Sequence, residues 1–430
     1  MDNQSPLRGV RAVLLLADES AHLVLGGLTQ VNRLLYSVQE CCITPPASNT
    51  RPLPVMVWWR NAALRAGYQS PGVADPPLLS VVHWSGDLPP DGGALVGGGL
   101  AVLRTTLVVG RGALGPLLQA NDEAWRGLPL HHAALPDPTL RTWSDWAQVV
   151  DSPASPEGGR RPGPGFAAVL RGPEDLAGVE RGLLRSLGKS SDGYVARTLN
   201  RAVSTRITGL LARTRITPDR VSLGVLGLAL GAAWTVTLGS PIGFVAGCLL
   251  NQLASMFDGC DGELARLKFL DTRRGAWLDT SIDMLGNHLF LLGMGIGLSR
   301  QPGLSQAAQG AYLWEGILAT GAFALCLWLV AWLTRQTSGE PHFNAFGSNL
   351  ALGTGFGNPI RRVVAALTPI FRRDVYALVF LGMALMGRPA WILHGLAFGV
   401  MAHVPVIAWF WWQRHDLTLQ VSTERGRLNG

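Results

Sequence analysis

Residues 258–283 read DGCDGELARLKFLDTRRGAWLDTSID and lie between two apolar runs. Ionisable side chains are costly to place at a membrane boundary, so a cluster of them marks function by default. Successive helical residues turn by about 100°. On that spacing Asp258, Asp261, Gly262 and Ala265 share one face of a helix. Asp279 and Asp283 are four apart and share a face of the next helix, with Gly275 one turn earlier. Two such helices joined by a short turn direct all these carboxylates at one another. Like charges so placed repel unless a divalent cation neutralises them. An all-oxygen ligand set suits a hard ion: Mg²⁺, Mn²⁺ or Ca²⁺. A solvated acidic loop would account for the charges but not for Gly262 and Ala265, because a loop has no need of small residues beside its carboxylates. Asp271 reads as an ordinary connector residue.

The pattern Asp-x-x-Asp-Gly-x-x-Ala-Arg, eight residues, Gly, three, Asp, three, Asp is complete at Asp258, Asp261, Gly262, Ala265, Arg266, Gly275, Asp279 and Asp283. It resembles the signature of the CDP-alcohol phosphotransferases. The resemblance implies transfer of a phosphoalkyl group from a CDP-alcohol, such as CDP-diacylglycerol or CDP-inositol, to an acceptor hydroxyl, with release of CMP. It implies Mg²⁺ or Mn²⁺ on Asp258, Asp261, Asp279 and Asp283, with Asp283 also the general base on the acceptor. Gly262, Ala265 and Gly275 would leave room for the nucleotide, and Arg266 would pair with its phosphates. Thr217-Pro218 resembles the family's Thr-Pro segment near the nucleotide, and also reads as a helix start with proline in the first turn. Arg273, Arg274, Arg361, Arg362, Arg372 and Arg373 are candidates for an acceptor phosphate; positive-inside arginines are the competing reading. Met284 stands where many phospholipid-making relatives carry arginine, which weakens any transfer of acceptor identity.

Only 15% of the 430 residues are charged, and the mean hydropathy is +0.23. Both point to an integral membrane protein. The net charge of +7 rests on arginine, since Lys189 and Lys268 are the only lysines. This balance suits anionic headgroups and substrates. The arginines recur at span ends and form no single stripe, so nucleic acid is not an expected partner. Cys41, Cys42, Cys248, Cys260 and Cys326 match no zinc spacing and are expected as free thiols. The apolar run near the N-terminus is too short for a cleavable signal.

The expected architecture is an α/β N-terminal domain, a nucleotidyltransferase-like layer, followed by an all-α six-helix transmembrane domain. Residues 10–16 and 54–59 read as buried strands and 28–38 as a helix, while 94–107 reads as two short apolar segments around Gly97–Gly99. The order of elements over residues 1–150 resembles the nucleotidyltransferase domain of bifunctional relatives that make CDP-inositol. The place of the glycine-rich phosphate loop, residues 12–20, holds Asp18 and Glu19 and no glycine. The later strand region offers no metal-binding carboxylate. The domain is therefore expected to be a catalytically silent copy; an active cytidylyltransferase is the alternative. Residues 151–182 form a Pro/Gly-rich linker and connector. Residues 183–214 are expected as one amphipathic basic helix on the membrane face. Within it, Lys189-x-x-Asp192-Gly193 and Arg197-x-x-Asn200-Arg201-x-x-Ser204 resemble the approach to the membrane domain in the inositol-phosphate branch of the family.

Apolar spans at about 220–238, 240–257, 275–297, 311–333, 374–387 and 389–412 make up the membrane domain, residues 215–414, before a tail at 415–430. Connectors on one side carry Arg266, Lys268, Arg273, Arg274, Arg335, Arg361, Arg362, Arg372, Arg373 and Arg414; those on the other carry Arg300 and Arg388. The positive-inside rule then puts both termini and the signature in the cytoplasm. Trp409, Trp411 and Trp412 would end the last span as an interfacial belt. A homodimer is left open. A cation-coupled transporter would need carboxylates deep in several spans and an inverted repeat; the sequence offers neither.

Overall fold

The computed structural model describes residues 10–42, 52–68, 78–86, 100–119, 130–133, 142–151, 166–188, 192–338 and 372–401. The chain divides into two compact units. One holds the N-terminal residues to 189 together with 205–216 and 263–271; the other holds 190–204, 217–262 and the chain from 272 onward.

The first unit is built on a sheet. Strand β1 (Ala12–Ala17) pairs in parallel with β4 (Leu53–Trp59) on one side and β6 (Leu100–Arg104) on the other, with Val13 opposite both Val55 and Ala101. Strand β5 (Leu79–Ser85) extends the β4 edge in parallel, and β8 (Leu130–Ala133) closes the β6 edge antiparallel. The order is β5-β4-β1-β6-β8. Alternate β1 residues serve opposite faces. Val13 and Leu15 pack towards helix α1 (Gln30–Cys42), with Leu34, Leu35 and Val38. Leu14 and Leu16 pack towards α4 (Trp143–Asp151), with Trp146 and Val150. Cover on both faces is why β1 and β4 read as unbroken apolar runs.

The expected helix at 28–38 begins two residues later, because Leu28–Thr29 forms β3 and pairs with β2 (Val24–Leu25) in a short hairpin. Its turn is Gly26-Gly27, at φ 55° and 81°. Of the 94–107 region, residues 94–99 lie outside the described residues, and the rest forms β6 and the start of β7 (Leu107–Val109). The expected single helix over 183–214 is instead two helical pieces. Helix α5 (Leu176–Ser186) ends just before Gly188, a residue that stops helices readily. A π-helical stretch (Ala196–Asn200) leads into α6 (Arg201–Ala212). Ser204, Thr208 and Ala212 of α6 are buried while Leu210 is exposed. The helix thus buries a small-residue face that its basic amphipathic pattern did not foretell.

The second unit is helical. Helices α7 (Pro218–Val236), α8 (Pro241–Lys268), α9 (Arg273–Ser299), α10 (Gln306–Ser338), α11 (Arg373–Leu385) and α12 (Pro389–Met401), with the π-helical stretch and the first residues of α6, account for it among the described residues, and the last turns of α8 belong to the first unit. Pro218–Val236, Arg273–Ser299 and Gln306–Leu329 are long and apolar enough to cross a bilayer. Helix α8 carries the signature charges within one continuous helix of 28 residues. Val236, Phe244, Phe290, Met294, Phe380 and Leu393 meet in the interior, whereas Trp234, Ile242, Trp314 and Phe398 are exposed, as suits lipid contact. Close approach of α7 and α9 depends on glycine: a Cβ on Gly297 would lie 1.9 Å from the Val236 carbonyl oxygen.

Helix α8 ends on a bulky residue where glycine is usual. Phe269 has φ 55°, the one positive φ at a non-glycine position among the described residues. That conformation costs about 1–2 kcal/mol for a residue with a Cβ. The Leu270 N–H donates to the Ala265 carbonyl at 2.9 Å, closing a Schellman-type end. Helix α9 then starts on Thr272, whose side chain accepts from the Gly275 N–H at 3.0 Å.

Candidate active site: a carboxylate cluster on consecutive helices

Asp258 on α8 and Asp279 and Asp283 on α9 converge. One carboxylate oxygen from each lies within 4.8 Å of the others, and all three residues are half-buried. The i,i+4 step on α9 places Asp279 and Asp283 one turn apart on one face. Three convergent carboxylates form an all-oxygen donor set that fits a hard divalent cation.

Asp261, the fourth expected ligand, is buried and is not one of these three. It accepts from Ser222 Oγ on α7 at 2.6 Å and from the Gly262 N–H at 2.5 Å. Ser222 sits one turn beyond Pro218, so the Thr217-Pro218 start of α7 brings a hydroxyl to the signature. Thr217 itself is the N-cap and Pro218 the first helical residue. Gly275 approaches the same helix: a Cβ there would lie 3.4 Å from Asp219 Oδ1.

The arginines divide by role. Arg373 on α11 donates to Asp283 through Nη1, and the same nitrogen lies 3.3 Å from Asp258 Oδ1. Its charge offsets the mutual repulsion of the carboxylates. Arg372 pairs with Asp374 at 3.3 Å. Asp374 also accepts from the Ala196 N–H at 2.8 Å. Asp192 pairs with Arg201 at 2.8 Å. Arg273 and Arg274 are exposed on the first turn of α9. Arg266 donates to the Leu187 carbonyl at 3.1 Å, within the first unit. Ala265 is half-buried on α8. Arg361, Arg362 and Lys189 lie outside the described residues.

Two residues beside the cluster were not singled out in the sequence. Asn287 follows Asp283 by four and continues the Asp279–Asp283 face, and Tyr376 on α11 donates to its Oδ1 at 3.1 Å. The spacing of Asn287 was a readable signal; Tyr376 had none.

Comparison with known proteins bears on this site directly. Residues 216–401, which hold Asp258, Asp261, Asp279 and Asp283, match the family model described as CDP-alcohol phosphatidyltransferase. Within those residues the chain is similar to the CDP-alcohol phosphatidyltransferases. Curated relatives named bifunctional IPC transferase and DIPP synthase share part of its sequence. The protein of Thermococcus kodakarensis is 36% identical over 120 residues, 28% of this chain and 27% of its own. That of Aquifex aeolicus is 36% identical over 127 residues, 29% and 28% of the two chains. That of Rubrobacter xylanophilus is 37% identical over 130 residues, again 29% and 28%. The chain thus matches just over a quarter of the length of these relatives.

The α/β unit has its own natural ligand position. In open α/β sheets ligands sit beyond the strand C-termini where the order reverses, which here is the end of β1 between β4 and β6. An internal network fills that place. Buried Asp18 accepts from the Ser20 N–H at 2.9 Å, from Ser20 Oγ at 2.5 Å, from Thr105 Oγ1 at 3.1 Å and from Arg104 Nε at 2.9 Å. Glu19 beside it pairs with Arg60 at 3.2 Å.

Proposed function

We propose that this protein is a multi-pass membrane enzyme. It moves a phosphoalkyl group from a CDP-alcohol to an acceptor hydroxyl and releases CMP. The convergence of Asp258, Asp279 and Asp283 within the family-matched segment carries this reading. Asp258 and Asp279 would hold the divalent cation, Mg²⁺ or Mn²⁺, with Asp283 at its edge. When bound, the ion supplies charge neutralisation at the pyrophosphate and orients the leaving group. The acceptor oxygen forms a new bond to the phosphorus of the transferred group, and the bond from that phosphorus to CMP breaks. Asp283 takes the acceptor proton; its place matters more than its basicity. Asp261, fixed by Ser222, backs the nucleotide side of the site. Thr217, Pro218, Gly262, Ala265, Gly275 and Arg266 would border the nucleotide there. Arg373 is the candidate cation for an acceptor phosphate, because it already faces carboxylates of the cluster.

Six spans with both termini cytoplasmic complete the proposal, supported by the one-sided arginines. The resemblance of the N-terminal order of elements to relatives that make CDP-inositol favours that nucleotide as a donor to try beside CDP-diacylglycerol. An active N-terminal cytidylyltransferase is the second reading, and the Asp18–Arg104 network argues against it. The deciding experiment supplies purified protein and Mg²⁺ with either donor and a panel of hydroxyl acceptors, and reads CMP and the new phosphodiester by mass spectrometry. Absence of CMP with both donors across the panel would remove the proposal.

A further inference from the structure

The last residues of α8 are gripped one after another inside the first unit. Arg266 donates to the Leu187 carbonyl at 3.1 Å. Leu267 seats on the Gly26-Gly27 turn, where a Cβ on Gly26 would lie 2.8 Å from its side chain. The Leu267 carbonyl, one of the oxygens a helix end leaves unpaired, accepts from Arg33 Nη2 at 3.1 Å. The same nitrogen donates to the Leu25 carbonyl at 2.7 Å, which ties it to the hairpin. Lys268 donates to the Thr214 carbonyl at 2.8 Å.

Phe269 and Asp271 complete the grip. The Phe269 ring stacks on Tyr36 with centroids 5.5 Å apart, and the guanidinium carbons of Arg33 and Arg111 lie 5.8 and 5.9 Å from its centroid. Cations over a ring face are attracted by its quadrupole. Burial lowers the Arg33 pKa to about 10, with Glu180 opposing, so Arg33 is a cation at neutral pH. Arg111 also makes a fork to Asp271, with Nη2 donating to Oδ2 at 2.6 Å and Nη1 donating to Oδ1. Its Nε donates to Glu40 at 2.7 Å, and the Gly112 N–H donates to the same carboxylate at 3.0 Å. The left-handed turn at Phe269 places its ring in this cage.

From this we infer that the α/β domain acts as a clamp on the connector between the two carboxylate-bearing helices. Arg33, Tyr36, Phe269, Arg111 and Asp271 are positioning residues for the cluster. The connector is only residues 269–272, and its last residue caps α9. Fixing its path fixes the rotation and depth at which α8 presents Asp258 against the Asp279 and Asp283 of α9. None of the five belongs to the carboxylate cluster. The inference deepens the transferase reading, on which its kinetic consequence rests.

The test uses the full-length protein in nanodiscs, with Mn²⁺ binding read by electron paramagnetic resonance alongside CMP release. Phe269→Gly removes the ring at a position whose backbone glycine adopts without strain. If Phe269 were only a helix cap, glycine would serve as well or better. The clamp instead predicts Mn²⁺ binding weakened about tenfold, in the range for residues that orient ligands without touching the ion. It also predicts kcat lowered about tenfold, as for a small misplacement of reacting groups, with the donor KM little changed. Phe269→Tyr keeps the ring and should behave as the parent. Arg111→Ala should match Phe269→Gly. Arg60→Ala, at an exposed pair elsewhere on the unit, should change nothing. If Arg111→Ala does not fold, Arg111→Lys keeps the charge, loses the fork and carries the same measurement. Parent-like Mn²⁺ affinity in Phe269→Gly and in the Arg111 variant would overturn the clamp. Failure of the parent to release CMP would overturn the transferase reading alone, since the Mn²⁺ measurement does not depend on turnover.

Discussion

Asp283 accepts from Arg373 and Asp258 lies 3.3 Å from the same nitrogen, yet chemistry separates them. Asp283→Asn keeps shape and removes the proton acceptor, so turnover should fall by about 10²–10⁴-fold while Mn²⁺ binding and CDP-alcohol binding largely remain. Asp258→Asn should weaken both. Equal loss of metal in the two variants would make Asp283 chiefly a ligand. Ser222→Ala should cost about tenfold in turnover, through Asp261 losing the hydroxyl that aims it; steady-state CMP release measures it. The signature spacing announced every aspartate, because helical phasing is local and readable. It could not announce that Asp261 turns to Ser222, which lies 39 residues upstream in an apolar run. Nor could it announce Arg373, 90 residues downstream of Asp283, as the cation at the cluster. Those partners are set by tertiary packing, and no local pattern encodes them.

At the scale of elements, legibility followed burial. Strands β1 and β4 were plain because both faces are covered and the runs are wholly apolar. Strand β5, LSVVHWS, mixes polarity and lies at a sheet edge, without the unbroken apolar run that marks β1 and β4, and β8, LHHA, is only 4 residues long. Helices α7, α9 and α10 followed their apolar runs. Helix α8 outran its own, since the signature charges continue the helix for eleven residues past 257 instead of ending it. Gly188 was the local sign that 183–214 would break. The α7–α9 contact makes a test of its own. Gly297→Ala forces a methyl into the Val236 carbonyl and should cost about 1–3 kcal/mol, typical of overpacking. It would be read as a lower unfolding midpoint in detergent. An unchanged midpoint would mean that the two helices part easily.

The whole molecule joins a sheet whose expected ligand position is taken by its own side chains to a helical unit that carries the carboxylate cluster. A CTP triphosphate needs backbone donors, cations or both. The end of β1 instead offers Asp18, already satisfied by Ser20, Thr105 and Arg104. Full-length protein carrying Asp258→Asn, given CTP, Mg²⁺ and inositol phosphate, should release no pyrophosphate above a blank. Release would restore the bifunctional reading. The order of domains was legible in the sequence, since the composition changes sharply near residue 215; the clamp was not, because it joins Arg33 and Arg111 to residues far along the chain.

The unbroken length of α8 also makes it a ruler. At a rise of about 1.5 Å per residue, the seventeen steps from Pro241 to Asp258 span about 26 Å, a little less than a hydrocarbon core of about 30 Å. In the proposed orientation the carboxylates would rest just beneath the headgroups, at the depth where a substrate dissolved in the bilayer could meet one from water. A helix cannot stretch, so a bilayer of another thickness must raise or sink that meeting point, or tilt the helix to keep it. Turnover reconstituted across phosphatidylcholines of increasing chain length should therefore pass through a maximum, while detergent-solubilised protein, freed from any slab, should show no such optimum.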